Sequence, residues 1–305
     1  MLAKPRQNKS YIKTAFVLVW IILGLVSLGK QLYFSGSGGQ DLPSLYLKPS
    51  FESSVLGMNT VSTSDAKPML RSFSPTGDFA VKVPILMYHH IRDSVLPTEN
   101  SAYFYSVKPQ KLEQQLAFLK ENNYQVLSLG DLYESLESRS PLPPKSVVIT
   151  FDDGYRDFYT NAFPIVKKFN FRVVSFFVAG YTRMGDYMNW QMLHELHKSG
   201  LVDIESHSIS HPLLTRLNNA DQRREIFESR KILEDNLGKK VYYFAYPYGD
   251  YNQEVVNIVK EAGYRLAFSA FAGTTLHSSR ELILPRILIS GFDTLETFKT
   301  KLLTS

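Results

Sequence analysis

Val147–Phe158 reads VVITFDDGYRDF. Val147, Val148, Ile149 and Thr150 are β-branched and Phe151 is aromatic, a run that favours a pleated, buried strand. That strand ends on two adjacent acids and Gly154. Asp152 and Asp153 repel each other, and neither belongs in an apolar core. Either the pair is a solvated turn or a positive charge sits against it. An Asp-Gly hairpin turn would need a second strand behind it, and FYTNAFPIVKKF (158–169) has no strand alternation. The acids are therefore expected at the C-terminal end of a strand, facing a cation.

Outward from this stretch, apolar runs alternate with amphipathic ones. VPILMYHHI (83–91), YQVLSL (124–129), SVVITF (146–151), RVVSFFV (172–178), LVDIES (201–206), KVYYFAYP (240–247), YRLAFSAF (264–271) and LILPRILI (282–289) read as strands. PQKLEQQLAFLKENN (109–123) places Leu112, Leu116 and Leu119 on one helical face behind Pro109. GDLYESLES, FYTNAFPIVKKFN, WQMLHELHKSG, the long segment from Ala220 to Gly238, NQEVVNIVKEAG and TLETFKTKLL supply the other helices. Strands alternating with helices predict a parallel sheet covered by helices. Seven or eight strands in about 220 residues predict an α/β fold built as a closed or nearly closed (β/α) barrel, with its chemistry at the strands' C-terminal ends.

Other reactive residues fall at such ends. His207 and His211, in ESHSISHP, follow LVDIE four residues apart, and Pro212 predicts a looped turn there. Surface histidines at this spacing are common; joined by a carboxylate from a neighbouring strand end, they form a His-His-Asp set. Three ligands with open positions describe a catalytic zinc site, and this donor mixture suits zinc, cobalt or nickel over calcium or magnesium. One acid can then hold the cation while the other takes a proton from water whose pKa the ion has lowered. His89 and His90 close the first strand, one pointing inward and one outward; a general acid is the functional reading of one of them, a satisfied core histidine the plain one. Pro247, Tyr248 and Gly249 end another strand, either as a simple turn or with a backbone N–H facing an oxyanion. His194 and His197 form H-E-x-H on a helix, so the H-E-x-x-H protease mechanism does not transfer and a solvated face is expected. His277 lies in a Gly/Ser/Thr loop and is a reserve acid.

The net charge of +5 is local. Lys4, Arg6, Lys9 and Lys13 precede any acid, and subtracting them leaves +1, so a nucleic-acid partner is not expected. Thr14 to Gly29, TAFVLVWIILGLVSLG, is uncharged and apolar all round. It falls short of the ~20 residues that comfortably span a bilayer and would also fit a signal peptide, but no A-x-A-like cleavage site follows. An uncleaved signal anchor is expected, with residues 1–30 as basic tail and transmembrane helix, 31–80 as a Ser/Gly/Pro-rich linker and 81–305 as an exported catalytic domain. The chain has no cysteine, hence no disulfide framework and no thiolate metal site.

TFDDGY (Thr150–Tyr155), SHSISHP (Ser206–Pro212) and YPYG (Tyr246–Gly249), in this order, resemble the polysaccharide deacetylases of carbohydrate esterase family 4. The resemblance covers Val81 to Ser305. It implies a distorted (β/α) barrel of about seven strands and a metal-dependent hydrolase that removes acetyl groups from sugar polymers. It also implies Asp152 as general base, Asp153, His207 and His211 as metal ligands, zinc as the metal with cobalt or nickel possible, and the Tyr248 N–H as oxyanion donor. Tyr155, Pro247 and Trp190 are the candidates for contact with the sugar. Two departures stand out. Ala245 occupies the place of the family's usual arginine before the third motif, and Arg286 in LPRILI is the candidate to orient the base instead. The usual late Leu-x-x-His is missing, and MYHHI resembles the branch acting on poly-N-acetylglucosamine, where the acid-bearing strand moves to the front; on that pattern His89 is the acid. The expected protein is a membrane-tethered, monomeric N-deacetylase of N-acetylglucosamine-containing surface polymers, whether biofilm glycan or peptidoglycan. The competing readings are an inactivated, carbohydrate-binding scaffold and a metal phosphoesterase; the second lacks a Gly-rich phosphate cradle.

Overall fold

The computed structural model describes residues 77–304. The expected basic tail and membrane helix of residues 1–30, and nearly all of the expected linker, lie outside the described residues. Among the described residues no helix is long and apolar enough to cross a membrane. Residues Asp78–Ser305 group as one compact unit. Its first residues, expected in the linker, are tied down because Asp78 pairs with His277 (2.6 Å) and accepts the Ser279 N–H (3.1 Å).

The strands, in chain order, are β1 (Ala80–Lys82), β2 (Ile85–Tyr88), β3 (His90–Ile91), β4 (Ser106–Val107), β5 (Gln125–Val126), β6 (Ser146–Phe151), β7 (Val173–Phe177), β8 (Val202–Ser206), β9 (Tyr243–Ala245), β10 (Leu266–Phe268), β11 (Thr275–His277) and β12 (Ile287–Leu288). Seven of them form one parallel sheet in the order β10-β9-β8-β7-β6-β2-β12, with β5 also on β6. The sheet is a half-barrel, the open form of the closed or nearly closed barrel expected: its edge strands β10 and β12 do not pair with each other, and β12 is only two residues long. A crossing segment joins these edges. Leu284 bridges Phe268 of β10, while Ile287 pairs with Leu86 of β2. Pro285 stands between them and has no N–H for a ladder, so LILPRILI is not one strand but a step from one edge to the other. Arg286 sits in that step.

Alternation along the strands divides the apolar side chains into two cores. Ile85, Val148, Val174, Phe176, Tyr243, Ala245, Leu266 and Phe268 meet on one face of the sheet, closed off by Leu129, Leu132 and Leu136 of the helix Leu129–Ser138. Leu86, Ile149, Val173, Phe177, Ile204, Phe244 and Ala267 face the other way, against the outer helices. Strands buried on both faces read as continuous apolar runs rather than alternating ones, as SVVITF does. Local signals set the ends. Ser128 caps the helix after β5 by accepting the Asp131 N–H (3.1 Å), and Asp131 answers by accepting the Ser128 N–H (2.8 Å). That reciprocal cap is why YQVLSL ends as a strand at Val126. The helix after the acid motif opens into a wider turn over Phe158–Ala162 just ahead of Pro164, which lacks the N–H for a regular turn.

All seven strands run in one direction, so the residues after β2, β6, β8 and β9 gather on one rim. β1 and β11 pair antiparallel at the opposite, entry end of β2.

Candidate active site

Strand parity puts His89, Asp152 and His207 on the same side of the sheet, because they continue the rows through Ile85, Val148 and Tyr243 rather than the rows through Leu86 and Ile149. Asp153 would point the other way, but its backbone is left-handed (φ 70°), which turns the second acid back toward the rim. His211 (φ 57°), Ser208 (φ 65°) and Tyr248 (φ 60°) share this conformation. Non-glycine residues held there cost about 1–3 kcal/mol each and persist where the surroundings fix them.

Asp153, His207 and His211 bring one donor atom each to a common point. Asp153 Oδ1 is 3.4 Å from His207 Nε2 and 3.3 Å from His211 Nε2, and the two imidazole nitrogens are 3.2 Å apart. The Nδ1–H of His207 donates to the Ala245 carbonyl (2.7 Å), which leaves Nε2 as the atom that faces the set. Burial drives His211 down to about 4, against the pull of Asp153, so its ring is neutral near pH 7. Burial would raise Asp153, but its bond to His207 and the imidazoles of His211 and His89 hold it well below the usual carboxylate range. A carboxylate and two imidazole nitrogens converging at this separation fit a divalent cation.

Asp152 is engaged elsewhere. Arg286 grips both its oxygens, Nη1 to Oδ1 and Nη2 to Oδ2, each at 2.7 Å. Both partners are buried, at 1% and 3% exposure, so the pair is fully desolvated and the fork geometry matters. Arg286 is itself fixed: its Nε donates to the Ser269 carbonyl (3.0 Å), its Nη1 to the Thr150 hydroxyl (3.3 Å), and it lies 5.4 Å from the Phe176 ring. Burial pushes the Asp152 carboxyl up, and the charges of Arg286 and His207 overcome this and hold it down. The cation that the adjacent acids called for is thus two: Arg286 on the first acid, and a vertex suited to a metal at the second. The guanidinium on Asp152 thus comes from the crossing segment.

His89 packs edge-on against Tyr105 (4.8 Å, 65°), and its Nδ1 is buried with no partner among the described residues. Burial lowers its pKa, while Asp153 and Asp152 pull it back. His277, the reserve acid, stands on β11 at the opposite end of the barrel, bound to Asp78. Tyr248 lies with its ring 4.5 Å from His211. Pro247 is buried beside it, and Gly249 follows at φ 68°, where a Cβ would overlap the backbone of Ala270. Tyr155 stacks on His90 (3.5 Å, 21°) and on Tyr187 (5.0 Å, 27°). Trp190 begins the helix Trp190–Lys198 and packs partly buried against the outer core; the aromatic that reaches Tyr155 is Tyr187. His194 and His197 stay on that helix, outside the donor set.

Sequence reasoning missed Glu225. It is 4% exposed and accepts from the Ile209 N–H (2.9 Å), the Ser210 N–H (2.9 Å) and the Ser210 hydroxyl (2.7 Å). These bonds hold the loop between His207 and His211. The signal was available in Gln222, Glu225, Ile226, Ser229 and Leu233, all buried at helical spacing.

The family model for polysaccharide deacetylases matches residues 139–267. A poly-beta-1,6-N-acetyl-D-glucosamine N-deacetylase of Staphylococcus aureus (strain N315) is 31% identical over 228 residues, spanning 67% of this chain and 78% of that protein. This chain belongs to the polysaccharide deacetylase family. The Escherichia coli (strain K12) poly-beta-1,6-N-acetyl-D-glucosamine N-deacetylase is 27% identical over 261 residues, 72% of this chain, which spans 38% of that longer protein. Among solved structures, the Streptococcus pyogenes deacetylase PplD in complex with acetate superposes with a TM-score of 0.68 at 29% identity, over 73% of this chain and 98% of that one.

Proposed function

We propose that this deacetylase is a metal-dependent hydrolase that removes N-acetyl groups from N-acetylglucosamine residues of a bacterial surface polysaccharide, poly-N-acetylglucosamine ahead of peptidoglycan. The observation that carries the reading is the division between adjacent acids: Asp153 converges with His207 and His211, while Asp152 is gripped by Arg286. The names of the S. aureus and E. coli relatives support the glycan. In this reading the domain is exported and tethered by the segment 14–29.

Asp153, His207 and His211 would hold the metal, zinc first and cobalt or nickel next on the donor types. When bound, a divalent cation supplies Lewis acidity toward the acetyl carbonyl and lowers the pKa of water beside it. Asp152 takes the proton of the attacking water, with Arg286 fixing both its oxygens. A C–O bond forms at the acetyl carbon, and the Tyr248 N–H donates to the developing oxyanion. His89 then passes a proton to the departing nitrogen as the C–N bond breaks. Acetate leaves and a glucosamine amine remains. The inactive-scaffold reading drew on the missing arginine at Ala245, and Arg286 meets that need.

Acetate release from β-1,6-linked N-acetylglucosamine oligomers and from peptidoglycan fragments, with zinc added or chelated, tests the assignment. Zinc-dependent release from the oligomers is expected. Release from the peptidoglycan fragments alone would overturn the preferred substrate, and no release from either would overturn the activity.

A further inference from the structure

His90 is absorbed by none of the roles above, yet its surroundings are closely made. It points away from His89, and its Nδ1–H donates to Asp157 Oδ2 at 2.6 Å. The other Asp157 oxygen accepts the Ile91 N–H at 3.1 Å, so the carboxylate is held at both ends. The His90 ring so oriented lies nearly parallel to Tyr155, 3.5 Å between centroids. Tyr187 stacks on Tyr155 as well, and the two segments are joined there by an isolated antiparallel bridge. Tyr155 follows Asp153 by two residues, and burial first, then the negative charge of the Asp153 carboxylate beside it, raise the Tyr155 pKa. Asp153 is the residue that needs such support, because its left-handed backbone is not held by a glycine's freedom.

We propose that His90 is a positioning residue: oriented by Asp157, it fixes Tyr155, and Tyr155 fixes the Asp153 carboxylate in the geometry that receives the metal. The inference rests on Asp153 being a metal ligand. It gives MYHHI two histidines with separate tasks, His89 toward the substrate and His90 toward the ligand.

The test is zinc titration of the metal-stripped full-length protein by calorimetry, for wild type, His90→Ala, Tyr155→Phe and the double variant. Each single change should weaken zinc binding roughly tenfold, the range for groups that orient metal ligands. The double variant should bind no more weakly than Tyr155→Phe alone, since both act along one line of contacts. Saturating zinc should return the kcat of His90→Ala to that of wild type, with the KM of that variant unchanged. Should His90→Ala not fold, Asp157→Ala carries the same test, because it frees the ring without emptying the stack. Additive losses in the double variant, unchanged zinc affinity in His90→Ala, or a kcat that excess zinc does not restore would each overturn the proposal. Asp153→Ala is the control: if it binds zinc as well as wild type does, the ligand assignment itself fails; if it does not and His90→Ala does, only the positioning role fails.

Discussion

Asp152 and Asp153 are chemically identical neighbours, and their environments separate them. Arg286 faces one with a matched fork, while two imidazole nitrogens face the other. Lysine is a point charge and cannot reproduce the fork. Arg286→Lys should therefore lower kcat roughly 10–100-fold, with zinc affinity unchanged, as read by parallel turnover and titration. A second expectation concerns pH. Burial lowers the His89 pKa, and a general acid must be protonated, so activity falls as pH rises through that value. His89→Gln should flatten the alkaline limb of the kcat/KM profile while the acid limb stays; a profile identical to wild type would remove His89 from the acid's role. Most of this site was legible at the residue level, because DDG, the two histidines and HH each follow an apolar run directly. The acid pair called for a cation without saying which; Arg286 was singled out only because Ala245 stands where the resembled family has an arginine. Asp157 was not: within GYRDF it reads as one more exposed charge, and only the fold brings it to His90.

The elements decide whether these side chains meet. β6 delivers the acids, β8 the first histidine, and the loop after β8 the second, in the looped turn that Pro212 predicts. That loop is shaped by Glu225 from the neighbouring helical segment, not by its own sequence. Glu225→Ala strands two backbone donors, each costing about 1–3 kcal/mol when buried. It should also weaken zinc binding roughly 10–100-fold, as loss of groups behind a ligand does; thermal melts and titration of the same variant read the two effects. Glu225 escaped notice because ADQRREIFESRK is dense in charge, and dense charge reads as a solvated face. Where the sequence misled, proline was the physical reason: Pro285 divides what looked like one strand, and the pair β1–β11 is too short to show a period.

At the scale of the molecule, an open half-barrel places Asp152, Asp153, His207 and His211 on one rim and relies on the Leu284–Leu288 crossing to join its edges. Asp153 and the two histidines come from different strand ends, so a metal among them would bind the folded state and not the unfolded chain. Zinc at 100 times its Kd should then add about 2.7 kcal/mol of stability. For a domain of this size that corresponds to a Tm rise of roughly 5–10 °C, reversed by chelation and readable by scanning calorimetry. The alternation of strands and helices made the parallel fold legible from Val81 onward. The open seam was not, because it depends on pairings across nearly the full length of the domain, Ile287 with Leu86 and Leu284 with Phe268.

The central claim is that neighbouring acids do different work, and one paired measurement addresses it: zinc Kd and acetate release for Asp152→Asn and Asp153→Asn side by side. Asp152→Asn should bind zinc as wild type does and lose about 10²–10⁴ in kcat, the contribution of a positioned general base. Asp153→Asn should lose zinc affinity. Zinc lost from Asp152→Asn but kept by Asp153→Asn, or full acetate release by Asp152→Asn, would contradict the account.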